Sequence, residues 1–222
     1  MESRKKNEAE KMKEETKAYI FDMDGTLVNN CRYHIIAWQE FSRRYGHELT
    51  AREIIDWMGA PNTYYCEQIF GRPLSTDELA QLGEEKERIY RELFAPHLRL
   101  PDGLRAFLDR AHAKGIPCAV ATGGPKENVD FVLDGLAIRK DFEVVIDASC
   151  YMHGKPAPDC FLAAASRLGV LSGRCTVFED AVAGIRAGKA AGMRVIAVTF
   201  TNPRTTLLAE APDRIIDSYT EL

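Results

Sequence analysis

The chain has 222 residues and a net charge of -4 with no long basic block, which removes nucleic acid from the expected partners. With 45% hydrophobic and 28% charged residues it can bury a globular core, and no apolar run reaches the ~20 residues of a membrane span. Cys31, Cys66, Cys118, Cys150, Cys160 and Cys175 are scattered with no Cys-x-x-Cys pair, so they read as reduced thiols of a cytoplasmic protein, not as a zinc or redox site.

Residues 1–17 are mostly charged or small, have no apolar face, and read as a charged N-terminal tail. The first expected strand, Ala18-Tyr19-Ile20-Phe21, stops abruptly at Asp22. From Cys31 to about Pro96 the pattern is helical throughout: Cys31 to Tyr45, Ala51 to Met58, Thr63 to Phe70, and Ser75 to Phe94. Ser75 before Thr76-Asp77-Glu78 supplies a start signal for the last. Beyond it, apolar runs at 116–121, 144–146, 176–178, 194–198 and 215–216 alternate with helical patterns at 103–114, 126–136, 158–168 and 181–191. Short continuous apolar strands alternating with helices predict parallel pairing with both sheet faces covered. The fold class is therefore α/β: a doubly wound, Rossmann-like parallel sheet formed by residues 18–30 and 97–222, with residues 31–96 inserted as an α-helical cap. Pro96, Pro101 and the residues near Asn29-Asn30 are the expected hinges.

In such sheets ligands bind beyond the carboxyl ends of the strands, and the polar residues expected there are Asp22, Thr122, Glu179 and Asp180. Asp22 and Asp24, two residues apart where a strand becomes a loop, can divide nucleophilic attack from proton donation on a phosphate ester. Gly25 permits the tight turn between them. An acidic capping turn would use the same residues, and a calcium loop is disfavoured because the distal glutamate of an EF-hand is missing. Thr122-Gly123-Gly124 runs from a strand into a helix and can cradle phosphate with backbone N–H groups and a hydroxyl, or serve only as a turn and cap. Lys155, in a proline-braced loop before a helix, is a candidate fixed cation. Glu179-Asp180 adds carboxylates suited to Mg²⁺, a hard cation that prefers oxygen, although either could instead cap the following helix.

Taken together and in order, these four segments resemble the haloacid dehalogenase-like superfamily from residue 18 to about 199. The resemblance implies an aspartyl-phosphate on Asp22 and general acid and base work by Asp24. It also implies phosphoryl binding by Thr122, Gly123 and Lys155, and Mg²⁺ held by Asp22, the Asp24 carbonyl and Asp180 with Glu179 nearby. Members that cleave halide or phosphonate lack an aspartate at the position of Asp24, so its presence points to phosphate esters. Within the superfamily, Tyr33-His34, Ala37-Trp38, Lys86 and the run Phe178 to Ile185 resemble the β-phosphoglucomutase-like subfamily. There the residues matching His34 and Lys86 couple cap movement to catalysis. Asn62 stands where the mutase has a phosphate-gripping arginine, and Asn30 where it has a hydroxyl residue.

The expected activity is hydrolysis of a small phosphate ester, such as a sugar phosphate, by a monomeric enzyme with no membrane partner. The alternatives are a β-phosphoglucomutase interconverting β-glucose 1-phosphate and glucose 6-phosphate, or a non-catalytic phosphate- or protein-binding module.

Overall fold

A computed structural model describes residues 16–57 and 60–222. The chain divides into two compact units, residues 30–98 and the remainder. Among its described residues the smaller unit holds the α-helices α1 (Cys31–Arg44), α2 (Ala51–Asp56), α3 (Asn62–Phe70) and α4 (Thr76–Phe94). Thr50 and Ser75 start α2 and α4 with reciprocal capping boxes, each hydroxyl accepting from the third residue's N–H while that residue's glutamate accepts from the cap N–H. Tyr33, Ala37 and Phe41 recur at helical spacing on α1 and are buried with Ile89, Tyr90 and Phe94 of α4. Helix α2 ends at Asp56; its expected end, Met58, lies outside the described residues.

The larger unit is built on a six-stranded sheet: β1 (Ala18–Phe21), β2 (Cys118–Ala121), β3 (Val144–Ile146), β4 (Cys175–Glu179), β5 (Arg194–Val198) and β6 (Arg214–Ile216). The order is β3-β2-β1-β4-β5-β6, with every pair parallel. Helices α5 (Leu104–Ala113), α6 (Lys126–Gly135), α7 (Asp159–Leu168), α8 (Val182–Ala190) and α9 (Arg204–Ala209) complete it. The first four fall within a residue or two of expectation. Helix α9 was not anticipated: it has six residues, two of them β-branched threonines of low helix propensity, and it starts directly after Pro203. The expected tail, residues 1–17, lies outside the described residues except for its last two. Of these, Lys17 N–H donates to the Arg174 carbonyl at 2.8 Å and the Thr16 hydroxyl meets that of Thr176 at 2.8 Å. Among the described residues no helix is long and apolar enough to cross a membrane.

Strand alternation sorts the core into two layers. Ala18 and Ile20 join Ala119, Val177, Phe161 and Ala164 in one apolar cluster. Tyr19 and Phe21 face the other way, where Phe21 stacks on Phe178 with centroids 4.6 Å apart and Phe107 of α5 and Tyr219 close the aromatic group. The order of strands reverses between β1 and β4, the switch point at which doubly wound sheets open a crevice.

Candidate active site

Asp22 follows the last residue of β1, Glu179 is the last residue of β4 and Asp180 the next, so all three stand at the switch point. The Asp22 N–H still donates to the Phe178 carbonyl at 3.0 Å, which fixes its backbone on the sheet. Lys155 enters from the loop before α7, its ammonium 4.8 Å above the Phe161 ring. That ammonium donates to Asp22 Oδ1 at 2.5 Å, to Glu179 Oε1 at 2.8 Å and to the Ala121 carbonyl at 3.3 Å, one acceptor for each of its protons. Burial opposes a charged lysine, but the adjoining Asp22 and Glu179 carboxylates outweigh it and hold Lys155 well above its ordinary pKa.

The two adjacent carboxylates of β4 have different surroundings. Glu179 Oε1 accepts from Lys155 and Oε2 from the Asp180 and Ala181 N–H groups at 2.8 and 2.7 Å. It occupies the start of α8 and leaves no room beside it: a Cβ on Gly184 would come 1.7 Å from Glu179 Oε1. Asp180 turns to the other side, where Thr26 Oγ1 donates to its Oδ1 at 3.2 Å and Thr201 hydrogen-bonds its side chain. Gly25 adopts a left-handed backbone (φ 73°), and a Cβ there would lie 2.0 Å from Asp180 Oδ2, so conformation and space both require glycine.

Asp22, Glu179 and Asp180 each present an oxygen within 4.8 Å of the others, and all three are buried. Burial first, then Glu179 and Asp24, push Asp22 up to about 7 against the pull of Lys155. Burial, Glu179 and Asp22 likewise raise Asp180 well above the carboxylate range. An all-oxygen set with more buried negative charge than Lys155 neutralises fits a small hard dication. Asp24 is partly exposed, and its Oδ2 approaches the Gly124 turn, 3.5 Å from where a Cβ on Gly124 would stand.

Thr122, at the end of β2, is buried, and its Oγ1 accepts from the Gly124 N–H at 3.0 Å while Gly123 is exposed. The Gly124 amide is thus engaged within the turn. Tyr151, which sequence reasoning did not single out, donates its phenol to the Thr122 carbonyl at 3.1 Å.

Within the helical unit, the three residues singled out separately converge. Lys86, 2% exposed, bonds His34 Nδ1 and Glu87 Oε1, both at 2.9 Å, and lies 5.0 Å over the Trp38 ring. Asn62 donates to the same Glu87 oxygen at 2.8 Å, and His34 stacks on Tyr90 with centroids 3.8 Å apart. The expected hinge residue Asn30 donates to the Tyr90 hydroxyl at 2.6 Å.

Residues 16–192 match the sequence profile of the haloacid dehalogenase-like hydrolases, more than half of the chain. The chain belongs to this family. It is similar to fructose-1-phosphate phosphatase YqaB of Escherichia coli, 34% identical over 81% of this chain and 94% of that protein. It is also similar to β-phosphoglucomutase of Bacillus subtilis, 32% identical over 82% of this chain and 83% of the other. Among solved structures, a family IA, variant 3 hydrolase of Entamoeba histolytica superposes with a TM-score of 0.88 at 28% identity, over 93% of this chain and 95% of that one. These relatives place the chain in the β-phosphoglucomutase-like branch of the haloacid dehalogenase-like hydrolases, as a phosphoryl-transfer enzyme.

The close fit of Glu179 against α8 can be tested directly. Gly184→Ala must displace the glutamate that holds Lys155, and a misplacement of about 1 Å in such a site costs roughly 10²-fold in rate. A drop of that order in kcat/KM is expected, with the protein still folded by circular dichroism; wild-type kinetics in the variant would contradict the fit.

Proposed function

We propose that the protein is a magnesium-dependent phosphatase of small phosphate monoesters, sugar phosphates foremost, working through an aspartyl-phosphate on Asp22. The observation that carries this reading is the Lys155 ammonium bridging Asp22 and Glu179 beside Asp180 at the switch point. Lys155 holds Asp22 Oδ1, so Oδ2 is the oxygen that attacks phosphorus. As the Asp22 oxygen–phosphorus bond forms, the ester bond breaks and Asp24 gives its proton to the departing alkoxide. Water then attacks the same phosphorus, its proton passes to Asp24, and Asp22 is released with inorganic phosphate. The Thr122 hydroxyl and the Gly123 amide donate to the phosphoryl oxygens through both steps, and the positive charge of Lys155 stabilises them. Asp22, the Asp24 carbonyl and Asp180 are the residues that would hold Mg²⁺, which when bound neutralises charge on the phosphoryl group. Glu179, with both oxygens engaged, orients Lys155 and the start of α8.

Similarity to a β-phosphoglucomutase keeps a second reading, in which a sugar hydroxyl replaces water. The helical unit favours hydrolysis. Gripping a second phosphate calls for a planar guanidinium. Position 62 carries an amide instead, bonded to Glu87, and Glu87 also neutralises Lys86. Phosphorus NMR with Mg²⁺ and β-glucose 1-phosphate plus trace bisphosphate, run beside fructose 1-phosphate, decides between them. Inorganic phosphate is expected; glucose 6-phosphate would establish the mutase, and unchanged spectra would direct the search to other esters.

Asp24→Asn should slow hydrolysis of sugar phosphates by about 10²- to 10⁴-fold and affect nitrophenyl phosphate far less, since that leaving group needs no proton. Equal losses on both would remove Asp24 from the general-acid role. Metal affinity should also depend on pH. With its pKa near 7 in the metal-free protein, Asp22 is protonated at lower pH, and Mg²⁺ must displace that proton. Calorimetry in buffers of different ionisation enthalpy should show more proton release at pH 6 than at pH 8, with affinity rising between them. An affinity unchanged across that range would contradict the assignment.

A further inference from the structure

In the loop between β5 and α9, residues 199–203, two consecutive residues hold Asp180. Thr201 hydrogen-bonds the Asp180 side chain, and Asn202 Nδ2 donates to the Asp180 carbonyl at 3.0 Å. Thr26 also donates to the carboxylate, at 3.2 Å. On the main chain, the Asp180 N–H is taken by Glu179 Oε2 at 2.8 Å. Asp180 is therefore fixed at its amide, its carbonyl and its carboxylate.

The loop that does this is itself braced. Thr199 Oγ1 donates to Asp217 Oδ1 at 2.6 Å, and Arg204 pairs with the other oxygen of Asp217 at 2.8 Å. Phe200 sits edge-on to Tyr219 at 6.5 Å, and the buried Tyr219 hydroxyl donates to the Thr26 carbonyl at 3.3 Å. Both hydroxyl residues on Asp180 thus hang from segments tied to Tyr219. Space is equally tight: a Cβ on Gly25 would meet Thr201 Oγ1 at 2.4 Å as well as Asp180 Oδ2 at 2.0 Å. The three residues pack with no slack.

We propose that Thr201 and Asn202 form a clamp that positions Asp180 as a metal ligand, with the Thr201 hydroxyl fixing the direction of its carboxylate. This deepens the magnesium reading and rests on it. Mg²⁺ tolerates little departure from octahedral geometry, so a ligand free to rotate binds it poorly. Hydrogen-bond partners behind a ligand are worth about 10- to 100-fold in metal affinity.

The test is Mg²⁺ binding to the full-length, metal-free protein by titration calorimetry without substrate. Thr201→Val keeps the shape and removes the hydroxyl; its Mg²⁺ Kd should rise about 10- to 100-fold. Thr201→Ser should keep wild-type affinity, and Asn202→Ala should weaken binding in the same direction as Thr201→Val. Metal-free melting temperatures identify any variant that merely unfolds, and Thr201→Ser then carries the comparison on a folded protein. Wild-type affinity in folded Thr201→Val, or an equal loss in Thr201→Ser, would overturn the clamp alone. A wild-type protein that binds no Mg²⁺ would overturn the metal reading and the clamp with it.

Discussion

Everything at the switch point depends on burying several carboxylates around the Lys155 ammonium. Asp22, Glu179 and Asp180 are almost wholly removed from water. Charges so placed are costly unless they are paired and hydrogen-bonded. Lys155 gives its three protons to three acceptors, two of them carboxylates, and Glu179 uses both oxygens to hold Lys155 and the start of α8. What is left uncompensated lies on Asp22 and Asp180, the two groups whose protonation burial favours. A dication would relieve that excess.

The sheet makes the imbalance possible. Because β1 and β4 are neighbours whose connections depart in opposite directions, the ends of both strands open into one crevice. The aromatic layer of Phe21, Phe178, Phe107 and Tyr219 anchors these strand ends from one face, and the cluster around Ile20, Val177 and Phe161 anchors them from the other. Side chains at the ends therefore have little freedom, and Gly25 and Gly184 supply the space that Asp180 and Glu179 occupy. Rigidity of this kind lets a charge-rich site persist without neutralising itself by rearrangement.

Much of this was legible in the sequence. An apolar run that stops at a carboxylate marks a strand end, and that pattern alone puts Asp22, Glu179 and Asp180 on one rim. Other features were not. Glu179 and Asp180 are adjacent, and nothing in their order tells which turns toward Lys155 and which toward Thr26; only the packing against Gly184 and Gly25 separates them. Thr201 and Asn202 lie in a polar loop that reads as a connection, and their bonds to Asp180 span about twenty residues. Glu87 and Tyr151 are similar cases: their partners, Asn62 and Thr122, are distant in the chain and carry no shared periodicity. Helix α9 is too short, and too rich in threonine, to stand out from a loop.

In the proposed reaction Asp22 carries the phosphoryl group between the two halves. Rapid acid quench of the enzyme turning over a radiolabelled sugar phosphate, followed by peptide mapping, tests it directly. Label on the peptide containing Asp22, formed and lost at rates that match turnover, is the predicted result. Steady release of labelled phosphate with no label on that peptide at any time would contradict it.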